Sequence, residues 1–188
     1  MDALRIHRIQ ARANRLANHR LHGALAALPT PELHTPRTGF FPSLMATLNH
    51  ILGVDAYYVG ALQGRTDGVE AWAAFVPAQA LPELAERQRE VDERLIAWLD
   101  AAEPAALDRP VHMPRGGGRV QVDFAALMLQ HLFMHQTHHR GQVHAMLSGT
   151  AVAPPQLDEF IMPSEPHLRT AEMAALVWDE AAVFGPRV

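Results

Sequence analysis

The amino-acid sequence predicts an all-α fold, a four-helix bundle in which a long crossover connection joins two of the helices. Four long segments place apolar residues at helical intervals among residues that favour helices. The stretches between them are rich in Pro, Gly and Thr, and no strand segment of comparable length interrupts the pattern. We also expect a short hairpin or extended loop before the fourth long helix, and an extra C-terminal helix. Since neither a repeat nor a linker divides the chain, residues 1–188 are expected to form a single helical-bundle domain.

Proline and glycine set the bounds of the first two long helices. The first is predicted over residues 2–28, because Pro29 cannot continue it. The second is predicted over residues 42–62, because Pro42 suits a first helical turn and Gly64 suits the exit.

The third long helix is predicted to begin near Pro82 and to stop before Pro104. Its apolar positions recur at heptad-like intervals, at Leu84, Val91, Leu95 and Leu99. Residues 110–122, which contain three consecutive glycines, predict a short hairpin or extended loop.

The fourth long helix is predicted over residues 123–148, before Gly149, with Asp123 as its N-cap. An irregular run follows at residues 157–162. The last helix is predicted over residues 170–183.

Composition restricts the chemistry that the chain can perform. Cysteine is absent, which excludes disulfides, iron–sulfur clusters, thiolate zinc sites and a cysteine nucleophile. All 16 basic residues other than histidine are arginine, which excludes a Schiff-base lysine and the lysine of a phosphate-binding loop. A transition-metal site in this chain must therefore use histidine and carboxylate ligands.

Charge and hydropathy indicate the partners. A formal net charge of -4 argues against nucleic acid, since binding phosphates requires a concentrated positive surface. No apolar segment approaches the ~20 residues of a membrane span, and the first residues lack the apolar core of a secretory signal. We therefore expect a cytoplasmic protein with a small-molecule substrate and with neither a nucleic-acid nor a membrane partner.

His135 and His139 are the most informative residues, because two histidines four positions apart lie on one helix face and can bind one metal ion. With twelve histidines in the chain, about 0.75 such pairs are expected by chance, so the spacing alone is weak evidence. The helical pattern strengthens it. Both rings lie along the stripe of this helix that carries Met128 and Leu132, which should face the core.

A third ligand must come from another helix, and the candidates are His7, His19, His22 and His50. We favour His50, which lies in the middle of a segment that is apolar nearly all round. Small residues share its helix face and leave room for a substrate beside a metal. A core histidine that bonds to a backbone carbonyl is the alternative interpretation of His50.

Three further residues are candidates for the substrate pocket: Tyr57, His131 and Gln142. Tyr57 lies near His50 on the same helix, and His131 lies one turn before His135. The segment lacks the glutamate of the His-Glu-x-x-His pattern, so the metalloprotease arrangement is not met.

The run from His135 to Gln142, His-Gln-Thr-His-His-Arg-Gly-Gln, and the pair Asn49-His50 resemble the DinB-like (DinB/YfiT) family of metal-binding four-helix bundles. The resemblance covers nearly the whole chain. It implies zinc or nickel bound by His50, His135 and His139, and frequent homodimers. It also implies an ion pair for Arg140 and a close helix contact at Gly141.

Three neutral imidazoles and an open coordination position are typical of a catalytic metal site. Such an ion acidifies a bound thiol or water. Characterised members of the family are similar in using bacillithiol, mycothiol or related thiols, and this chain has no thiol of its own. We therefore expect a thiol-dependent S-transferase or isomerase that acts on a small electrophile. Two alternatives remain: a metal-dependent hydrolase that uses bound hydroxide, and a non-enzymatic, stress-related metal-binding protein.

Overall fold

The computed structural model describes residues 3–158 and 162–185 and confirms the all-α bundle. The helices are α1 (Ala3–Leu25), α2 (Thr30–His34), α3 (Leu44–Leu62), α4 (Gly68–Ala73), α5 (Leu81–Ala101), α6 (Ala125–Leu147), α7 (Thr170–Ala175) and α8 (Glu180–Phe184). Two strands, β1 (Pro110–Arg115) and β2 (Arg119–Phe124), pair antiparallel. Short 3₁₀ helices lie at Pro104–Asp108 and Pro166–Leu168. No helix within the described residues is both long and apolar enough to cross a membrane.

The four long helices α1, α3, α5 and α6 form the bundle. α1 and α3 each pack against both α5 and α6, which places α1 and α3 at opposite corners. The connection from α5 to α6 therefore crosses between the other two corners. It carries a hairpin, which is one of the two forms predicted for this segment. Burial of leucine side chains from all four helices holds them together, since apolar area removed from water is the main stabilising term. Fully buried examples are Leu21, Leu62, Leu95 and Leu132.

Two predicted helix starts differ from the structure. α3 begins at Leu44 instead of residue 42, because the Ser43 side chain accepts a hydrogen bond from the Ala46 N–H and caps the helix. The prediction that Asp123 caps α6 is wrong. Asp123 lies within β2, where it pairs with Val111, and the hairpin register continues to Phe124.

The first and last predicted helices also differ from the structure. α1 ends at Leu25, and residues 26–28 continue as a turn. Residue 2, at the predicted start, and residues 159–161 of the predicted irregular run lie outside the described residues. A single helix over residues 170–183 is wrong: α7 and α8 are separate. Val177 lies between them at φ 55°, a conformation that a β-branched residue rarely adopts and that ends a helix. The short helices α2 and α4 were not predicted.

A buried polar network occupies the centre of the bundle and joins all four long helices. Asp92 on α5 accepts hydrogen bonds from the Asn14 and Asn18 side-chain amides of α1 at 3.1 and 2.9 Å. Gln88 donates to Asp92 at 3.1 Å and to Asp55 on α3 at 2.8 Å. These bonds satisfy polar groups that would otherwise be costly to bury.

α6 contributes two residues to the same network. Gln136 donates to Asp55 Oδ2 at 2.9 Å, and the Arg140 guanidinium donates to the side-chain oxygens of Asn14 and Asn18. Arg140 is thus connected to Asp92 by the hydrogen bonds that the two asparagines form with both residues. The close helix contact expected at Gly141 is wrong, because this residue is exposed and a Cβ there would meet nothing within 4 Å.

Burial sets the protonation of the two network acids. It raises the pKa of Asp55 to about 7, with the negative charge of Asp92 as the second cause. Burial likewise raises the pKa of Asp92 to about 6, although hydrogen bonds from Asn18 and Gln88 oppose the shift.

Asp55→Asn tests this protonation. The folded protein keeps a proton on Asp55 that the unfolded chain loses, so this carboxyl contributes less to stability as pH rises from about 4 to about 7. Asparagine cannot ionise. Relative to the parent, the variant should therefore gain on the order of 2 kcal/mol in free energy of unfolding between about pH 5 and about pH 8. Urea unfolding at both pH values measures the difference.

Asp108→Asn, at an exposed carboxylate, is the control for charge removal. If Asp55→Asn changes the free energy of unfolding by the same amount at both pH values, the raised pKa is contradicted.

Candidate metal centre

The packing of α3 against α6 brings together the three histidines that the sequence singled out. His50 lies in the middle of α3, and His135 and His139 lie one turn apart on α6. One ring nitrogen from each histidine lies within 4.8 Å of the other two. The Nε2 atoms of His50 and His135 are 3.0 Å apart. This group can hold a metal ion.

The donor set fits a transition metal. Imidazole nitrogens bind zinc at about 2.0–2.1 Å, which places two tetrahedral ligands about 3.3 Å apart. The 3.0 Å between the Nε2 atoms of His50 and His135 is close to that separation. Because a neutral imidazole carries one N–H and one lone pair, nitrogens that converge in this way offer lone pairs to a shared cation.

The three rings are neutral near pH 7, as metal ligands must be. Burial, together with the neighbouring rings, His139 first among them, lowers the pKa of His135 to about 3. Burial also lowers the pKa of His50 and of His139. The buried Nδ1 of His135 has no hydrogen-bond partner among the described residues.

Gln142 fixes the orientation of His139. Its side-chain oxygen lies 2.8 Å from His139 Nδ1, and its amide nitrogen lies 3.2 Å from His138 Nε2. Since an amide oxygen can only accept, His139 carries its proton on Nδ1 and keeps the lone pair on Nε2. The predicted pocket residue therefore lies on the Nδ1 side of the ring. Contact between Gln142 and a substrate stays a prediction.

Phe41 contacts the cluster and was missed by the sequence analysis. Its ring centroid lies 4.3 Å from that of His50 and 5.6 Å from that of His139. Phe41 belongs to the loop before α3, where helical periodicity does not apply, so no spacing rule points to it.

Tyr57 and His131 line a cavity of about 430 Å³ together with His135. The Tyr57 hydroxyl donates to the Pro114 carbonyl at 2.6 Å, and the His131 ring lies 6.2 Å from that of His135. Trp72 of α4 also lines this cavity. The sequence did not indicate a role for Trp72, because the short helix α4 was not predicted.

The other candidate ligands lie apart from the group. His7 Nδ1 is 3.0 Å from the Gln10 side-chain oxygen, and its ring stacks on Phe133. His22 is buried beside positive charges, and burial together with Arg15 lowers its pKa to about 3.

Comparison with known proteins gives two findings. A family model described as "DinB family" matches residues 10–168, a span that includes all three clustered histidines. Protein DinB from Bacillus subtilis (strain 168) is 27% identical over 145 residues, which cover 73% of this chain and 83% of that protein.

The lowered pKa of His135 can be measured in chelator-treated protein. We expect its ring to stay neutral down to about pH 5, because burial and the adjacent rings disfavour the imidazolium form. Imidazole resonances followed by NMR through a pH titration test this, with His135→Gln used to assign the signal. A His135 midpoint near the ordinary value of 6.5 would contradict the electrostatic account of the cluster.

Proposed function

The chain belongs to the DinB family, and on this premise we propose that it is a metal-dependent enzyme whose ligands are His50, His135 and His139. Its proposed reaction is the activation of a low-molecular-weight thiol against a small electrophile, as in a thiol-dependent S-transferase or isomerase. The observation that carries the proposal is the convergence of three neutral imidazoles from two helices.

A divalent cation such as zinc or nickel, when bound, supplies a Lewis acid that lowers the pKa of a thiol or water. The chain's own residues prepare the site. Neutral histidines add no negative charge, so the positive charge of the ion would be undiminished. Gln142 holds His139 in the tautomer whose Nε2 can bind, and the Phe41 ring covers the His50 and His139 rings. Because ligand orientation affects metal affinity, Gln142 is proposed as a positioning residue.

The cavity beside His135 supports a small electrophile as the second substrate. A volume of about 430 Å³ lies within the range of ligand pockets. Tyr57 and His131 are the proposed substrate contacts. Since the chain contains no cysteine, the nucleophilic sulfur must come from a separate thiol molecule.

We also propose that the chain forms a homodimer in the cytoplasm and that residues 1–188 are one domain. Exposed apolar side chains support the dimer, since apolar surface favours association. They are Val120, Val122 and Phe124 on β2 and Leu127 and Met134 on α6. A core cluster that draws residues from all four long helices supports the single domain.

Metal content tests the ligand assignment. Protein purified without a nickel column should contain about one zinc or nickel ion per chain, and His139→Ala should lose most of it because two ligands bind weakly. His138→Ala is the matched control: its ring is adjacent but exposed and lies outside the group. Elemental analysis of the parent, His139→Ala and His138→Ala measures the metal content of each protein. Equal metal content in the parent and His139→Ala would reject the site.

Activity tests the reaction class. The metal-loaded protein should conjugate one thiol from a panel of low-molecular-weight bacterial thiols to an electrophile such as an aryl chloride. An S–C bond forms, chloride leaves, and the thiol proton passes to solvent. His139→Ala should reduce the rate by roughly a hundredfold or more if the metal supplies most of the activation, while His138→Ala should not. Chromatography of the conjugate gives the rate.

Two outcomes would contradict the thiol reaction. Ester or amide turnover without any thiol would indicate a hydrolase. A fully metal-loaded protein that turns over neither kind of substrate would indicate a non-enzymatic metal-binding protein.

A further inference from the structure

Arg115 carries a positive charge at the cavity beside His135, and it has no acidic partner there. Its Nε and Nη2 atoms both donate to the Gln121 side-chain oxygen, at 3.2 and 2.9 Å. The Tyr58 hydroxyl is a distant second acceptor at 3.5 Å. Within the described residues, Arg115 forms no ion pair and its Nη1 has no hydrogen-bond partner. One edge of the guanidinium therefore remains available to an acceptor.

Several surface arginines of the chain differ in this respect. Arg65 pairs with Asp67, and Arg89 pairs with both Glu86 and Glu93. These arginines lie on the surface, where a carboxylate on the same segment neutralises them. The charge of Arg115 is left without such neutralisation where a cavity meets the histidine cluster.

Contacts with Tyr57 and Tyr58 hold Arg115 at the cavity. The bond from the Tyr57 hydroxyl to the Pro114 carbonyl ties the end of β1 to α3. The Arg115 guanidinium carbon lies 5.0 Å from the Tyr57 ring centroid and 5.9 Å from that of Tyr58, within cation–π range. Arg119 is the cross-strand partner of Arg115, which places a second positive charge at this end of the hairpin.

Much of the remaining cavity wall is apolar. Val54, Val69, Trp72 and Ala73 line it, and His135 lies in the same wall. α4 approaches α3 closely here because Gly68 has no side chain: a Cβ at this position would lie 2.7 Å from the Tyr57 ring. The cavity therefore offers an apolar surface, one unneutralised guanidinium, a histidine of the cluster and the neighbouring His131.

We propose that the electrophilic substrate is a small apolar carboxylate, whose carboxylate binds Arg115 and whose apolar body packs against Trp72 and Val54. Guanidinium groups bind carboxylates through two parallel hydrogen bonds, which fits the free edge of Arg115. The carboxylate orients the molecule so that its apolar body extends along the wall that contains His135. The assignment of the substrate to this cavity rests on the proposed function. Binding of a carboxylate in the cavity can be tested independently of that function.

Calorimetry on the metal-loaded protein tests the inference with 2-naphthoate and 2-naphthamide, which share a shape and differ in charge. The parent should bind the carboxylate roughly tenfold or more tightly than the amide, since hydrogen bonds to charged groups are the stronger ones. Raising the salt concentration from about 0.05 M to about 0.5 M should weaken binding of the carboxylate and leave that of the amide little changed.

Arg115→Gln should remove this preference by lowering the affinity for the carboxylate to near that for the amide. Arg94→Gln is the matched control. Arg94, on α5, also bonds through Nε and Nη2 to one glutamine oxygen, that of Gln63, and it does not line this cavity. The Arg94→Gln variant should bind both ligands with the affinities of the parent.

Trp72→Ala gives a second test if Arg115→Gln fails to fold, because Trp72 is 50% exposed. It should weaken both ligands several-fold through lost apolar contact. Unchanged affinities in Trp72→Ala would place the ligands elsewhere and overturn the inference.

Two further results would overturn it: equal affinity of the parent for carboxylate and amide, or a carboxylate preference that persists in Arg115→Gln. The second result would indicate that the carboxylate of the ligand binds the metal ion instead of Arg115. Metal content measured on the same samples separates the two proposals. If the protein takes up no metal but still shows the Arg115-dependent preference, the metal-dependent enzyme is rejected and the anion site stands.

Discussion

The packing of α3 against α6 is the contact on which the candidate site depends. Two imidazoles on one helix offer only two ligands, and His50 supplies a third because its helix lies directly against the helix that carries His135 and His139. Leucines such as Leu48 on α3 and Leu132 on α6 are buried and hold the helices at this distance. The hydrophobic core thus determines the separation of the nitrogen atoms.

The same helices bury polar groups beside the histidines. Gln136, adjacent in sequence to His135, bonds to Asp55 inside the bundle, while the His135 ring points to the cavity side. Well-formed hydrogen bonds are directional, so a network that joins four helices restricts their rotation and sliding more than leucine packing does. We interpret the network as the part of the core that keeps α3 and α6 in register. That register is what the cluster of three rings requires.

The crossover connection has a role in the site beyond joining α5 to α6. Its hairpin lies against α3, where the bond between Tyr57 and Pro114 fixes it, and it brings Arg115 to the cavity beside His135. The loop residue Phe41 and the short helix α4 complete the surroundings of the histidines. The ligands therefore come from rigid long helices, whereas the connecting segments supply much of the cavity wall. This division is common in proteins, since loops vary more readily than the helices they join.

The sequence by itself determined the four long helices, a hairpin or extended loop before the last of them, and the shared face of His135 and His139, because these follow from periodicity and from spacing along one chain segment. It also determined that a thiol, if used, must come from outside, because the chain has no cysteine. The sequence favoured His50 as the third ligand, but only the tertiary structure decided that it lies with the pair and that the other candidates, His7, His19 and His22, do not. Only the structure showed that Gln142 bonds to the far nitrogen of His139. It alone placed Phe41, Trp72 and Arg115 at the site and separated α7 from α8 at Val177. Contacts between distant segments depend on how helices and loops pack in three dimensions. Helical periodicity indicates which face of a helix is buried but not which segment packs against that face.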